Sequence, residues 1–549
     1  SGAGGSTKIV LRGNKSLTGD STPLFVIDGI PLANNRGNQP GMWGGTDSGD
    51  GISALNPDDI ASISILRGAN AALLYGSAGA NGVVLITTKE GQAGKTTVSL
   101  NSGVTFESVI ELPDLQFKYG AIGEAKESWD TTPGNYADNY VDDFFSTGAN
   151  WINSLSISGG NDRTTAYFSY SNTTATGITP DNTYSRNNVS FKQSTKLLDD
   201  KLTVSSNIIL SIENSENRLP SGYYLNPLTG LYFFPRNRNF EDTRVNFQIF
   251  DESRNLMAQN WFVNDHHQSN PYWIINRQPR EQNNRRVIAN LTLNYQLMDA
   301  LNLQVRGNYD YANVTREQRH AATSNPTNVN INGTWDYHKY EDRLIYTDAI
   351  LTYDSDLSED FSLTALVGGS YTETDYGDGV RVTPSSGNGL IYPNEFNFQN
   401  LALTQTPVQS VTNGVIKKQG LFANATLGYK EMLFLDLGGR NDWASTLALT
   451  GNDSYFYPSV GLTAIVSEMF DMPEAISFAK FRVSQTQVAN EVPFNRINPQ
   501  NNISDPVGSL TRNTTKPFTD AKPEIITSTE IGADWRFFGN RLGIDFTYY

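Results

Sequence analysis

From about Thr96 onward, apolar and polar residues alternate with a period of two. Leu202, Val204, Ile208, Leu210 and Ile212 share one face; Thr203, Ser205, Asn207, Ser211 and Glu213 share the other, and Ile209 breaks the rule. Val287, Ala289, Leu291, Leu293, Tyr295 and Leu297 alternate with Arg286, Asn290, Thr292, Asn294 and Gln296. Leu301, Leu303, Val305, Tyr309 and Tyr311 alternate with Asn302, Gln304, Arg306, Asn308 and Asp310, and 361–367 and 531–537 follow suit. A period of two is the strand period. Runs of about ten residues exceed the five or six usual in soluble sheets and match strands that cross a bilayer. Roughly 15 such segments follow Thr96.

The connections sort by parity. Links after even-numbered strands are short, at Asp199-Asp200, Met298-Asp299, Lys430-Glu431 and Gly539-Asn540. Links after odd-numbered strands are mostly long: 108–150, 214–283, 316–341, 375–413 and 490–522. Outer-membrane barrels have short turns on one rim and long loops on the other, and a soluble sheet has no reason to divide its loops that way. In hydrocarbon every backbone group needs a partner, so such a sheet must close. An odd strand count that stops mid-strand at Tyr549 predicts further strands, either beyond Tyr549 or in another chain; large plugged transporters have about 22.

Composition narrows the picture. Mean hydropathy is −0.41 and no run of about 18 apolar residues occurs, which excludes a transmembrane helix but not a barrel. A net charge of −16 argues against a nucleic-acid partner. With no cysteine there is no disulfide framework and no thiolate metal site; no cofactor is expected. Aromatic residues make up 11% of the chain, too many for a disordered segment. The chain opens at Ser1 without a signal peptide, so both ends read as cuts in a longer protein.

Residues 1–94 follow a different rule, Gly-rich with short apolar runs. Four blocks stand out: Lys8–Ser16, a strand leading into a turn; Thr22–Leu32, a strand turning at Asp28-Gly29; Leu55–Gly82, a turn, a strand from Ile63 to Leu66 and a helix from about Ala69 to Leu74; and Val83–Gly91, a closing strand. These blocks closely resemble the plug of TonB-dependent outer-membrane receptors, and within them the SusC-like importers of the Bacteroidetes. The resemblance rests on Leu11-Arg12-Gly13, on Pro23 to Pro31, on Asn56 to Leu66 and on Tyr75 to Lys89, and continues at Tyr455–Glu468, Phe478–Asn490 and Glu530–Tyr549. Arg67-Gly68 stands where the family more often has Lys-Asp. The family's N-terminal extension, energy-coupling box and last strands have no counterpart in the sequence.

The resemblance implies an all-β, large antiparallel transmembrane barrel of about 22 strands when complete, with an N-terminal α+β plug domain in its lumen. The plug would occupy 1–94, N-terminally incomplete, and the barrel 95–549, C-terminally incomplete. It further implies import of an oligosaccharide or peptide across the outer membrane of a Gram-negative, Bacteroidetes-type cell. TonB would couple the inner-membrane energy and a SusD-like surface lipoprotein would cap the mouth. The alternative is a siderophore or cobalamin receptor without a lid. A structural or adhesive barrel needs no Gly-rich plug.

Candidate residues follow. Arg12, Gly13, Asp28, Gly29, Tyr75, Gly76, Gly79 and Gly82 are the plug's structural motifs. Its glycines can make tight turns and bring backbone close to backbone, leaving amides free to bond the wall. Arg12 is expected to pair with the wall, whereas Asp28, Asp58 and Asp59 read as turn and cap residues. The loop 214–283 holds Tyr223, Tyr224, Trp261 and Trp273. Such aromatics can stack on sugars or peptide side chains, form the loop's own core, or meet a partner. The plug loop 34–50, with Arg36, Met42 and Trp43, is a second candidate for the binding floor. Trp151, Tyr184, Tyr295, Tyr309 and Trp535 read as the interface girdle. His266-His267 lacks partners at ligand spacing, Gly91–Thr97 has Lys89 where a phosphate loop needs its first glycine, and no catalytic constellation is found.

Overall fold

In a chain whose strands alternate, burial should invert if the outer face meets lipid, and the computed structural model inverts it. The structure describes residues 4–549 except 12, 14–21, 35–38, 67–69, 124, 137, 139, 264, 266, 383–389, 402–407, 412–413, 495, 498–501 and 504–509. Leu210, Ile212, Leu291, Val305, Val367 and Leu437 are exposed, while their polar neighbours Ser211, Glu213, Arg286, Asn290, Asn308 and Asp310 are buried. Leu293 and Leu303 stand half-exposed on the outward face. Apolar residues outside and charged residues inside is the order lipid imposes on a barrel.

The wall is one antiparallel sheet of sixteen strands. Fifteen follow in sequence order from Gly94–Glu107 to Leu542–Tyr548, and the short strand Val408–Val411 extends the pairing of Phe361–Val382. The turns 161–163, 198–201, 299–300, 357–360, 430–432 and 538–541 lie on one rim, with the linker 466–475; the described residues of the longer connections 108–147, 217–279, 321–333, 383–414 and 491–523 lie on the other, with the short links 177–182 and 445–453. Strands run further into the loop rim than the alternation shows, since Leu202–Glu216 and Arg280–Met298 pair up to Glu216 and Glu281. Among the described residues the outer edges of Gly94–Glu107 and Leu542–Tyr548 have no strand partner.

Inside sits a four-stranded sheet: β1 (Leu24–Ile27), β2 (Ile30–Pro31), β3 (Ile60–Leu66) and β4 (Val83–Thr88), in the order β2-β1-β4-β3. β1 and β4 run parallel, joined through β3 and a helix at Asn70–Tyr75. Lys8–Leu11, expected to begin a strand, joins no sheet. The preceding residues are held by carboxylates instead: the Ser6 and Thr7 N–H groups donate to Asp47 and Asp50, each at 2.8 Å.

Ile209, the one break in its strand's alternation, is now explained. It is the cross-strand partner of Ile288, both point inward, and both pack against Phe25, Ile27 and Ile86 of the plug. Tyr184 corrects the girdle reading. It is buried on the lumen side against Gly4, because its position in strand Thr183–Leu197 has inward parity.

If the outer face meets lipid, a charge at its middle should be costly. Leu291→Arg should destabilise the full-length barrel in bilayers by about 2–4 kcal/mol, and Leu297→Arg, near the short-turn rim, by about 0–1 kcal/mol. Urea unfolding in liposomes measures both; equal, small effects would contradict the orientation.

Candidate functional site

The residues most able to govern the molecule are those through which the wall holds the plug. Arg286 makes a two-pronged contact with Asp310 on the adjacent strand, Nε to Oδ1 at 2.7 Å and Nη2 to Oδ2 at 2.6 Å. Its guanidinium also donates to plug carbonyls, Nη1 to Gly51 and Nη2 to Ala33, each at 2.6 Å. Asp310 in turn accepts the Ala33 N–H at 3.2 Å. A lone guanidinium in the lumen would be a buried charge; paired with a carboxylate it is neutralised and still has donors to spare.

The device recurs twice. Arg306 pairs with Asp348 at 2.9 and 2.5 Å, and the Tyr346 hydroxyl donates to Asp348 at 2.7 Å. Gly29, whose φ of +83° disfavours any side chain, lies against the end of the Arg306 guanidinium, and its carbonyl accepts from the Tyr75 hydroxyl at 3.3 Å. Arg440 pairs with Asp442 at 2.7 Å and donates to Leu73 O at 3.3 Å and Leu74 O at 3.0 Å. These carbonyls end the helix Asn70–Tyr75, where unsatisfied C=O groups and the helix dipole favour a cation. Gly76 leaves that helix at φ +65°, and a Cβ there would sit 2.8 Å from the Asp442 carboxylate. Glycine is favoured at both positions.

The plug aspartates are wall contacts, which corrects their reading as plain turn residues. Asp28 accepts from Lys192 Nζ and Asn207 Nδ2, each at 3.1 Å, as well as from Thr88. Asp59 accepts from the Tyr167 hydroxyl at 2.8 Å and the Ser169 hydroxyl at 2.7 Å. Asp58 accepts from Asn101 at 3.0 Å and from Ser154. The local reading was incomplete because enclosure turns outward-pointing turn residues into buried ones. The expectation of free amides is also revised: the wall arginines bond plug carbonyls. Arg12 and Arg36 lie outside the described residues; Gly13 faces open space, and Gly79 and Gly82 flank the turn into β4.

Two further features complete the site. A cavity of about 370 Å³ separates Phe25, Pro31–Asn34 and Leu74–Ala78 of the plug from Tyr346, Ser370, Thr372, Arg440 and Asp442 of the wall. Toward the loop rim, plug and loop aromatics meet. Trp43, 59% exposed, lies 5.9 Å from Tyr223 and 6.1 Å from Tyr224, and His267 stacks on Tyr224 at 5.8 Å. The backbone holds them there: Tyr223 N–H donates to Met42 O and Tyr224 N–H to Trp43 O, both at 3.1 Å.

Trp261 and Trp273 separate from this group. Trp261 packs on Phe234 and Phe262 in an apolar cluster under the loop. Trp273 is 0% exposed, its Nε1 donating to Ser324 at 2.7 Å, so it builds the loop and cannot touch a solute. The cluster forms because the loop contains helices, Pro227–Tyr232, Phe240–Val245 and Pro271–Arg277, capped by Asn226, Asn239 and Asn270. Asn-Pro at two of these starts was a legible signal. The clamp arginines carried a weaker one: each is a charged residue at a strand's polar parity. Among the described residues no cluster of three metal-ligand side chains occurs.

A polar-lined, lipid-facing wall gripping a small mixed sheet in its lumen defines the class of plugged outer-membrane barrels. Comparison with known proteins agrees. The family described as "TonB dependent receptor-like, beta-barrel" matches residues 221–549, and "TonB-dependent Receptor Plug Domain" matches 1–83. The chain belongs to the TonB-dependent receptors. It is 25% identical to TonB-dependent receptor P26 of Formosa agariphila over 515 residues, 89% of this chain and 48% of that protein. It is 31% identical to TonB-dependent receptor SusC of Bacteroides thetaiotaomicron over 220 residues, 39% of this chain and 21% of that one. The solved structure of the RagAB peptide importer in its closed-closed state shares the fold, with a TM-score of 0.75 at 18% identity over 98% of this chain and 62% of that one. The chain spans about half the length of the curated relatives it matches along most of its own length.

Two predictions follow from the clamps. Asp310→Ala leaves Arg286 buried without its counter-charge, a loss of about 3–5 kcal/mol. Hydrogen exchange should then quicken around Ala33 and Gly51 while distant wall strands stay protected; unchanged plug protection would refute the clamp. The second concerns pH. Burial raises the Asp59 pKa above the ordinary range, against hydrogen bonds from Ser169 and Tyr167 that lower it. A raised folded pKa means its contribution is whole below the unfolded value of about 3.9 and is lost as pH rises through the folded value. Plug protection near Asp59, corrected for intrinsic exchange, should therefore fall over that window, and Asp59→Asn should flatten the profile.

Proposed function

We propose that the chain is the plug (1–94) and a large part of the barrel (95–549) of a SusC-like importer. It takes up a solute too large for porins, an oligosaccharide or a peptide, across the outer membrane of a Bacteroidetes-type cell. TonB draws on the inner-membrane energy, and a SusD-like surface lipoprotein closes the mouth. The observation that carries this reading is the clamp. The plug is held by repeated charge-assisted hydrogen bonds around a small apolar core, so a pull on the plug can exchange them one by one without unfolding the wall. Binding falls to the exposed aromatics where plug and loop meet, and Trp43, Tyr223 and Tyr224 present flat apolar faces suited to sugar rings or peptide side chains. The work is gating and does not include bond chemistry. The peptide importer that shares the fold supports the peptide class, and the SusC-like plug blocks support the oligosaccharide class.

The test is deletion and complementation with the full-length gene. Cells should lose uptake of a labelled oligosaccharide or oligopeptide, regain it with the gene and lose it again without TonB; the receptor should co-purify with a surface lipoprotein. Uptake of a ferric chelate or cobalamin instead, with no lipoprotein, would replace this reading with the lidless one. Within the site, Trp43→Ala should weaken solute binding about five- to tenfold, or about 1–1.4 kcal/mol, without altering barrel stability. Trp273→Ala should instead destabilise the loop by about 3–5 kcal/mol. Titration and thermal unfolding distinguish the two.

A further inference from the structure

Beside the aromatic group lies a recess that is cationic in a chain of net charge −16. Arg218, Arg280 and Arg316 line it from the wall, and Thr46 and Asp47 line it from the plug. Arg280 is 9% exposed, and its guanidinium donates to neutral carbonyls, Leu225 O at 3.1 Å and Gln278 O at 3.4 Å. Among the described residues it forms no ion pair. Arg316 lies over the Tyr340 ring at 5.4 Å and donates Nη2 to that hydroxyl at 2.9 Å, while its buried Nε has no described acceptor. The two acids that line the recess are engaged. Asp47 accepts from the N–H groups of Ser6 at 2.8 Å and Gly49 at 2.9 Å, and Glu281 pairs with Arg319 at 3.4 Å.

Elsewhere in the lumen each clamp arginine has its own aspartate. Here Arg280 has none among the described residues, whereas Arg316 interacts with Asp342 and Asp336 and Arg218 with Glu213, and a buried charge without a counter-ion is destabilising. That cost is recovered if an anion enters. The recess measures about 20 Å³, space for one or two oxygen atoms and not for a sugar ring. It is also next to the aromatics: Leu225, whose carbonyl Arg280 holds, follows Tyr224, and Ser221 N–H donates to Gly45 O at 2.9 Å.

We infer that this recess binds a carboxylate carried by the solute whose body lies over Trp43, Tyr223 and Tyr224. The inference rests on the import reading and narrows its substrate class to a carboxylate-bearing oligosaccharide or peptide. One source is the uronate of a glycan; the other is the free C-terminus of a peptide.

The test uses the full-length receptor in detergent, titrated with two pairs of probes: trigalacturonate and its methyl ester, and a tetrapeptide with a free or an amidated C-terminus. In one pair, which identifies the source, the charged member should bind about tenfold tighter at low salt, as a charge-assisted contact predicts. In R280Q and in R316Q that advantage should shrink to about twofold with the neutral member unchanged, and R280K and R316K should restore part of it. R316Q, at a half-buried position, serves alone should R280Q fail to fold. Equal affinity within both pairs, no binding of either charged probe, or an advantage that survives in R316Q would overturn the inference. Cellular uptake separates the two levels: uptake without preference for the charged member sinks this inference alone, and no uptake of any saccharide or peptide sinks the import reading.

Discussion

A strand that faces hydrocarbon on one side must put its polar side chains on the other, and the rest of this structure depends on what those side chains then find. In a wide barrel they would meet water. Here they meet a folded segment whose loops and helix ends present unsatisfied carbonyls. Arg286, Arg306 and Arg440 answer the first demand, and two of them the second. Each is neutralised by a wall aspartate, and Arg286 and Arg440 use their spare N–H groups to hold the backbone at Ala33, Gly51, Leu73 and Leu74. The wall therefore supplies the capping groups that the plug's own chain lacks.

This division of labour sets where the assembly is firm and where it can yield. The larger apolar contact, from Phe25, Ile27 and Ile86 to Ile209 and Ile288, fixes the plug against one side of the wall. On the other side a cavity intervenes, and attachment falls to Arg440 and its carbonyls with a small contact of Ala72 and Ala80 on Val488 and Ile526. Hydrogen bonds exchanged for water cost little net free energy, whereas an apolar contact loses its burial outright. A plug held mainly by the former can be drawn out of place more readily than one embedded in a shared core.

The loop rim obeys another logic. Its segments are long enough to bury aromatics of their own, and they do: Tyr140, Phe144, Phe234 and Phe240 form one buried layer, and Trp273 is buried beside Ser324. That layer positions Tyr223 and Tyr224 against Trp43, so the exposed aromatic surface comes from two distant parts of the chain.

The alternation alone determined the strands, their outward faces and the parity of long and short links, because a period-two pattern with one face in lipid admits one assignment of inside and outside; the plug's blocks came from Gly-rich motifs. It also showed Ile209 as an exception without saying why. Only the tertiary structure decided which inward charges pair, that Asp28, Asp58 and Asp59 are wall contacts, that Tyr184 points into the lumen, and that Trp43 joins Tyr223 and Tyr224 while Trp273 is sealed away. Partners such as Arg286 and Gly51, or Arg440 and Leu74, are separated by hundreds of residues, and no local pattern records a hydrogen bond between them. Their meeting is fixed by the curvature of the wall and the depth of the plug within it.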